Sequence, residues 1–224
     1  MKACFSRKNL HAVVQMAAKS DIRYYLNGVN VEWTPIETRL CATDGHALLL
    51  CREDAKGENT GAGTLIIPLD VVKKIVSWKS DVIPIEIEPV PNDAGWFTGS
   101  QCGQSIRFQA IDGEFPDYRR IMQREVSGVA SQIDPSLLMA FKRAADILLG
   151  NKKSTGIVEV GHNGESGCTV TINSRDDFAG IVMPTRIRAY GDDKTPYPSP
   201  EWAYLVTPDA VPEVTPDTAS GVSP

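Results

Sequence analysis

Three stretches of this chain repeat one order of signals: a short strand, an amphipathic helix opened by a cap or a proline, then two or three strands. The helix starts, near Arg7, Pro68 and Asp134, lie roughly sixty residues apart, a spacing that marks a repeated supersecondary unit. This constrains the fold more than any other feature, because a lone unit cannot bury the apolar face of its own helix. The first helix is expected from Arg7 to Lys19 with Ser6 as N-cap. Its apolar stripe is Leu10, Val13, Val14 and Ala17, at i, i+3, i+4 and i+7. Pro68 opens the second, whose stripe is Leu69, Val72, Ile75 and Val76. The third begins at Asp134-Pro135-Ser136, carries Leu138, Phe141, Ala145 and Leu148, and ends at Gly150-Asn151.

Strand signals surround each helix. Tyr24 to Trp33 partly alternates, with Thr38 to Thr43 as its hairpin partner, and Thr64 to Ile67 precedes the second helix. Val82 to Glu88 and Ser105 to Ala110 belong to the second unit, Gly156 to Val160 and Thr169 to Ile172 to the third. The expected class is α+β, built of repeated β-α-β-β-β units. Residues 1–123 form a domain of two units and residues 124–188 a third unit. From about Ala189 the composition changes to Pro, Thr, Asp and Ser without amphipathic period, so residues 189–224 read as an extended or disordered tail. Within it Trp202, Tyr204 and Leu205 are candidates for docking, on the protein's own core or on a partner.

No apolar run reaches the roughly eighteen residues a membrane span needs. Basic residues near Met1 lack an apolar stretch behind them, so no signal peptide is expected and a cytoplasmic location is. The five cysteines, Cys4, Cys41, Cys51, Cys102 and Cys168, form no CxxC pair. Buried free thiols are expected, with neither a zinc site nor a disulfide framework.

A formal net charge of -5 argues against nucleic-acid binding until the charges are sorted by element. Arg7, Lys8 and Lys19 fall on the first helix, Lys73, Lys74 and Lys79 on the second, and Lys142, Arg143, Lys152 and Lys153 on or just after the third. Asp70 and Asp146 are nearly the only acids there. Two readings stay open: a shared positive face that follows a phosphate backbone, or lysines that solvate outer helix faces. There is no aromatic-rich basic strand and no Cys/His finger, so any DNA contact would be nonspecific and salt-sensitive.

Three phrases carry a family resemblance. They are Arg23-Tyr24-Tyr25-Leu26-Asn27-Gly28 followed by Cys41-Ala42-Thr43-Asp44-Gly45-His46-Ala47-Leu48; Ile111-Asp112-Gly113-Glu114-Phe115-Pro116-Asp117-Tyr118-Arg119-Arg120-Ile121; and Val182-Met183-Pro184-Thr185-Arg186-Ile187. In that order, over residues 1 to 188, the chain resembles the bacterial DNA sliding clamps, the DNA polymerase III beta subunits, in shortened form as in a phage or other mobile element. The resemblance implies the DNA-clamp fold, with helices on one inner face and antiparallel sheets outside. It implies a homo-oligomeric ring on duplex DNA that binds polymerase and clamp-loader peptides, without a cofactor, metal or catalytic residue. The peptide pocket would fall on Leu26, Thr43, Gly45, His46, Leu48, Pro116, Arg120, Ile121, Val182, Met183, Pro184, Thr185 and Arg186. The alternative it leaves is a non-ring mimic that competes for clamp-binding peptides or modulates a host clamp.

Departures are visible too. Three units are legible where the family has about six. Ala47 stands where a larger basic residue is frequent, and Gly150 to Thr155 supplies no aromatic to the pocket. An enzymatic reading of Asp44 and His46 lacks a third partner or a nucleophile motif.

Overall fold

Two antiparallel sheets and a row of three helices account for the repeat. The computed structural model describes residues 1–150, 157–172 and 175–185, and the tail read from residue 189 onward lies outside them. The first unit comprises β1 (Ala3–Phe5), α1 (Arg7–Val13), β2 (Gly28–Trp33), β3 (Glu37–Thr43) and β4 (Ala47–Asp54). The second comprises β5 (Gly63–Pro68), α2 (Leu69–Val76), β6 (Ile85–Pro89), β7 (Trp96–Gln101) and β8 (Gln104–Gln109). The third comprises α3 (Pro135–Leu149), β9 (Val158–Gly161), β10 (Cys168–Ile172) and β11 (Arg175–Val182).

Units one and two exchange their first strands. β1 pairs with β6 in a sheet ordered β1-β6-β7-β8, and β5 pairs with β2 in a sheet ordered β5-β2-β3-β4-β11-β10-β9. Neither unit can therefore close its sheet without the other. The third unit joins through its last strand, with Phe178 opposite Cys51 and Val182 opposite Ala47. The helices lie side by side, α1 between α2 and α3.

Local chemistry explains the helix ends. The Ser6 hydroxyl accepts from the Asn9 N–H at 3.1 Å, and the Ser6 N–H donates to Glu53 at 2.6 Å, so two orphan donors of α1 are satisfied. α1 does not reach Lys19: it ends at Val13, a 3₁₀ turn follows over Val14–Met16, and the chain is extended at Ala17. Met16, Ala17 and Ala18 are all buried, which one helix face cannot achieve for three consecutive residues. α3 follows its sequence signals. Asp134 caps the Ser136 N–H at 2.8 Å, Pro135 occupies the first turn, and left-handed Gly150 closes the end.

The strand expected from Tyr24 instead begins at Gly28, after a 3₁₀ turn over Tyr24–Leu26. A side chain at Gly28 would sit 2.4 Å from the Ile67 carbonyl oxygen, so this position must stay bare for β2 to meet β5. β7 carries no strand signal of its own. It is defined by a two-residue hairpin at Cys102-Gly103, both with positive φ, as a type I′ turn requires. That geometry leaves Cys102 exposed, against the expectation of buried thiols, whereas Cys4, Cys41, Cys51 and Cys168 are buried.

Alternation along β3 and β4 separates two apolar layers. Leu40, Ala42, Ala47, Leu49 and Cys51 join the main core with Phe5, Leu10, Ile75 and Phe141. Cys41 and Leu48 point the other way, where they meet Tyr118, with Leu50, Phe115 and Met122 around them. Gly180 of β11 lies directly beneath Phe141, and an added Cβ would come within 2.4 Å of its ring. Because Phe141 is fully buried, Gly180→Ala should destabilise by about 1–3 kcal/mol through overpacking. Urea unfolding measures this, and an unchanged midpoint would mean that α3 is not seated on β11.

Candidate peptide and DNA surfaces

The β3–β4 turn is built by its own side chains. The Asp44 carboxylate accepts from the N–H groups of His46 and Ala47, each at 2.8 Å, and the Thr43 hydroxyl donates to the Ala47 carbonyl at 2.6 Å. Asp44 is thus a turn former. Gly45 has φ +90 and carries the Arg23 guanidinium where a Cβ would lie, at 2.5 Å from the nearest nitrogen. Arg23 is held by Asp21 at 2.7 Å. The pocket residues read from the sequence omit Arg23, though the first phrase contains it; the glycine at the turn is the available signal.

β11 brings the C-terminal phrase to this turn. The Met183 N–H donates to the His46 carbonyl at 2.8 Å, continuing the β4–β11 ladder, and the Thr185 N–H donates to the Gln132 carbonyl at 2.7 Å. Thr43, Gly45, His46, Leu48, Val182, Met183, Pro184 and Thr185 therefore share one region. Their exposure differs: Leu26, Leu48 and Val182 are buried, while Met183 is 43% and Ile121 42% exposed. Met183 and Ile121 are thus the exposed large apolar side chains of the set. Pro116 and Arg120 line a different feature, a groove of about 1020 Å³ shared with Asn30, Glu32, Thr64 and Ile66. Arg186 lies outside the described residues.

Residues 115–122 are pinned to the outer sheet face by one network. The Tyr118 hydroxyl donates to Glu32 at 3.0 Å, and Arg119 pairs with the same carboxylate at 2.6 Å. Burial pushes the Tyr118 phenol up to about 12, outweighing the Arg39 contact that favours its ionised form, so it stays a donor.

The basic residues separate into free and committed groups. Arg7 is committed: it donates to the Val76 carbonyl at 2.7 Å and the Ser80 carbonyl at 3.2 Å and pairs with Asp81, leaving its side chain 16% exposed. It caps α2, so its guanidinium is not left open to solvent as the reading of a shared positive helix face expects. Lys142 pairs with Asp146, and Lys8 is half-buried beside Gly150. Lys19, Lys73, Lys79 and Arg143 are exposed, and exposed Lys74 lies 4.0 Å from Asp70 one turn earlier. Lys19 and Lys79 lie beyond the ends of their helices, and Lys152 and Lys153 fall outside the described residues.

The central-domain model of the DNA polymerase III beta subunit matches residues 5–117, half of the chain. The chain belongs to the DNA polymerase III beta subunit family. It is 29% identical over 169 residues to the beta sliding clamp of Proteus mirabilis, covering 74% of this chain and 44% of that one. With the beta sliding clamp of Escherichia coli it shares 31% over 141 residues, 62% of this chain and 37% of that one. It thus spans less than half the length of these curated relatives. The DNA polymerase III subunit beta of Pseudomonas aeruginosa superposes with a TM-score of 0.68 at 18% identity, over 84% of this chain and 67% of that one. The Thermotoga maritima beta subunit gives 0.68 at 16%, over 84% and 66%. The fold is that of the beta clamps. Among the described residues, no helix is long and apolar enough to cross a membrane, and no cluster of three or more His, Cys, Asp or Glu is placed to hold a metal.

Glu53, which holds the start of α1, yields a pH prediction. Burial raises its carboxyl to about 7, aided by Asp177 and opposed by the donors Ser6 and Asn9. The folded state therefore binds the proton more tightly than the unfolded one. The resulting stability is complete below the ordinary carboxylate range and is lost as pH rises through 7. Wild-type stability should fall by about 2–3 kcal/mol between pH 5 and pH 8 relative to Glu53→Gln. Parallel slopes for the two proteins in denaturant titrations would refute this.

Proposed function

We propose that this chain is a sliding-clamp processivity element that surrounds duplex DNA as a ring of its own copies and holds polymerase and clamp-loader peptides beside Met183. The observation that carries the reading is the β4–β11 joint, which sets Met183 against the β3–β4 turn in a chain whose sequence places the same phrases in clamp order. Met183 is adaptable and half-exposed, suited to varied apolar side chains. The activity is confinement, with no catalytic step. Three units per chain and roughly twelve per ring call for about four copies.

An extended peptide with two apolar anchors should bind with about micromolar Kd, roughly 8 kcal/mol. Fluorescence titration with Met183→Asp and Ile121→Asp should show about tenfold or greater weakening. No saturable binding at millimolar protein would overturn the pocket. Leu26→Asp is unsuitable because Leu26 is buried and its loss would report on folding.

The exposed lysines of α2 support contact with phosphates. Lys73→Glu with Lys74→Glu should weaken duplex binding about equally across sequences and lower the salt slope by about one for each phosphate no longer neutralised. Anisotropy at several salt concentrations reads this, and an unchanged slope would remove α2 from the DNA surface. The second reading, a non-ring mimic, is favoured by the third unit standing without a partner unit among the described residues. Light scattering separates the two: a strict monomer at high concentration that still binds peptide is the mimic.

A further inference from the structure

The residues ahead of α3 form no strand, although β1 and β5 hold the corresponding places in the first two units. Residues 126–132 lie instead as a strap against the turn that joins β9 to β10, and hydrogen bonds hold them there. The Gly128 N–H donates to the His162 carbonyl at 3.0 Å, and the Gly164 N–H to the Val129 carbonyl at 2.8 Å. The Ser127 N–H donates to Asn163 Oδ1 at 3.0 Å, and the Asn163 N–H to Ser131 Oγ at 3.1 Å. One bond differs in kind: the Ser131 N–H donates to His162 Nδ1 at 3.2 Å. The next residue, Gln132, accepts from the Thr185 N–H at 2.7 Å, two residues beyond Met183.

Apolar burial contributes little to the strap. Val126 and Val129 are 40% and 60% exposed, whereas Ile133, just beyond it, packs on the main core. A segment held by hydrogen bonds over few buried apolar contacts opens locally at low cost. The bond to His162 can moreover be cancelled by one proton. An imidazole nitrogen accepts only while unprotonated, and a proton there turns it into a donor facing the Ser131 N–H. Histidine is the residue whose ordinary charge change falls between about pH 5 and 8.

We infer that His162 is a proton-sensitive latch: its neutral imidazole holds residues 126–132 closed, and its protonation releases them and loosens the peptide surface beside Met183. The inference rests on the peptide reading above and names a regulation of that surface. The coupling runs through Gln132, which stands between two anchors, Ser131 on the latch and Ile133 on the core. Loss of the first leaves the Gln132 carbonyl fixed on one side only. Met183 lies between the bond to His46 and the bond from Thr185 to Gln132, so slack at Thr185 widens the positions its side chain samples.

The sign follows from the acceptor role. The closed strap requires an unprotonated Nδ1, so it is favoured above the imidazole range and lost as pH falls through it. The charged groups on the surrounding elements are Arg124 and Glu125 before and at the start of the strap, Asp134 at the α3 cap, Glu159 on β9 and Glu165 in the turn, with the Cys168 thiol opening β10. None of these carboxylates forms an ion pair with His162 among the described residues, and Asp134 accepts from the Ser136 N–H instead.

Two substitutions separate the latch from other titrations. His162→Asn keeps an acceptor oxygen near the place of Nδ1 without the charge change, and His162→Ala removes the acceptor. Amide hydrogen exchange, corrected for its intrinsic pH dependence, and fluorescence titration with a clamp-binding peptide are measured on the full chain at about pH 8 and about pH 5.5. In the wild type, exchange over residues 126–132 should rise by about tenfold or more at the lower pH, and peptide affinity should fall by about threefold or more. His162→Asn should lack both changes, and His162→Ala should show the open behaviour at either pH. Effects common to the wild type and His162→Asn belong to His46, Glu53 or the peptide, and this comparison stands even if His162→Ala does not fold. Exchange over the strap that ignores pH, or that changes equally in His162→Asn, would overturn the latch. Opening of the strap with unchanged peptide affinity would overturn its coupling to the surface. An absence of saturable peptide binding at either pH would instead remove the peptide reading, and the exchange data tell that failure apart from failure of the latch.

Discussion

The pairing of β4 with β11 is the interaction on which the rest of this molecule depends. Five consecutive residue pairs, Ala47 to Cys51 against Val182 to Phe178, join the third unit to the first. Through them Phe178 and Val182 enter the core that Leu49 and Cys51 already line, and α3 is carried against α1. Gly180 makes this possible, since any side chain there would displace Phe141. The same ladder, extended by one bond from Met183 to His46, assembles the candidate peptide surface. A single strand pair thus fixes the core, the helix row and the site together.

Charge works locally in this protein before it works collectively. Several exposed cations lie on or near the helices, yet Arg7 and Glu53 at the start of α1 are structural. Arg7 ties α1 to the end of α2, and Glu53 ties it to β4. Fewer basic side chains are therefore free on the helices than a count of their lysines and arginines implies.

Elements are legible where the signals are short-range. α3 can be read to the residue because its cap, first-turn proline and left-handed glycine are all local. α1 cannot, because its end is decided by burial of Met16, Ala17 and Ala18 against distant strands. β7 escapes a reading of the sequence because its residues, Trp96 to Gln101, alternate weakly, and only the turn after them declares a hairpin. The clamp-like phrases name a candidate surface, but they do not reveal that Leu26, Leu48 and Val182 are covered while Met183 and Ile121 remain open. They also do not show that Pro116 and Arg120 face another groove.

The sequence by itself determined the repeat, the family phrases, the caps of α3 and the sorting of basic residues onto helical segments, because each depends on residue type and near-neighbour spacing. Tertiary structure alone decided the exchange of β1 and β5, the β4–β11 joint and the commitment of Arg7. Strand partners are chosen by backbone hydrogen bonds and face-to-face burial between residues far apart in the chain, and a linear pattern does not carry that choice.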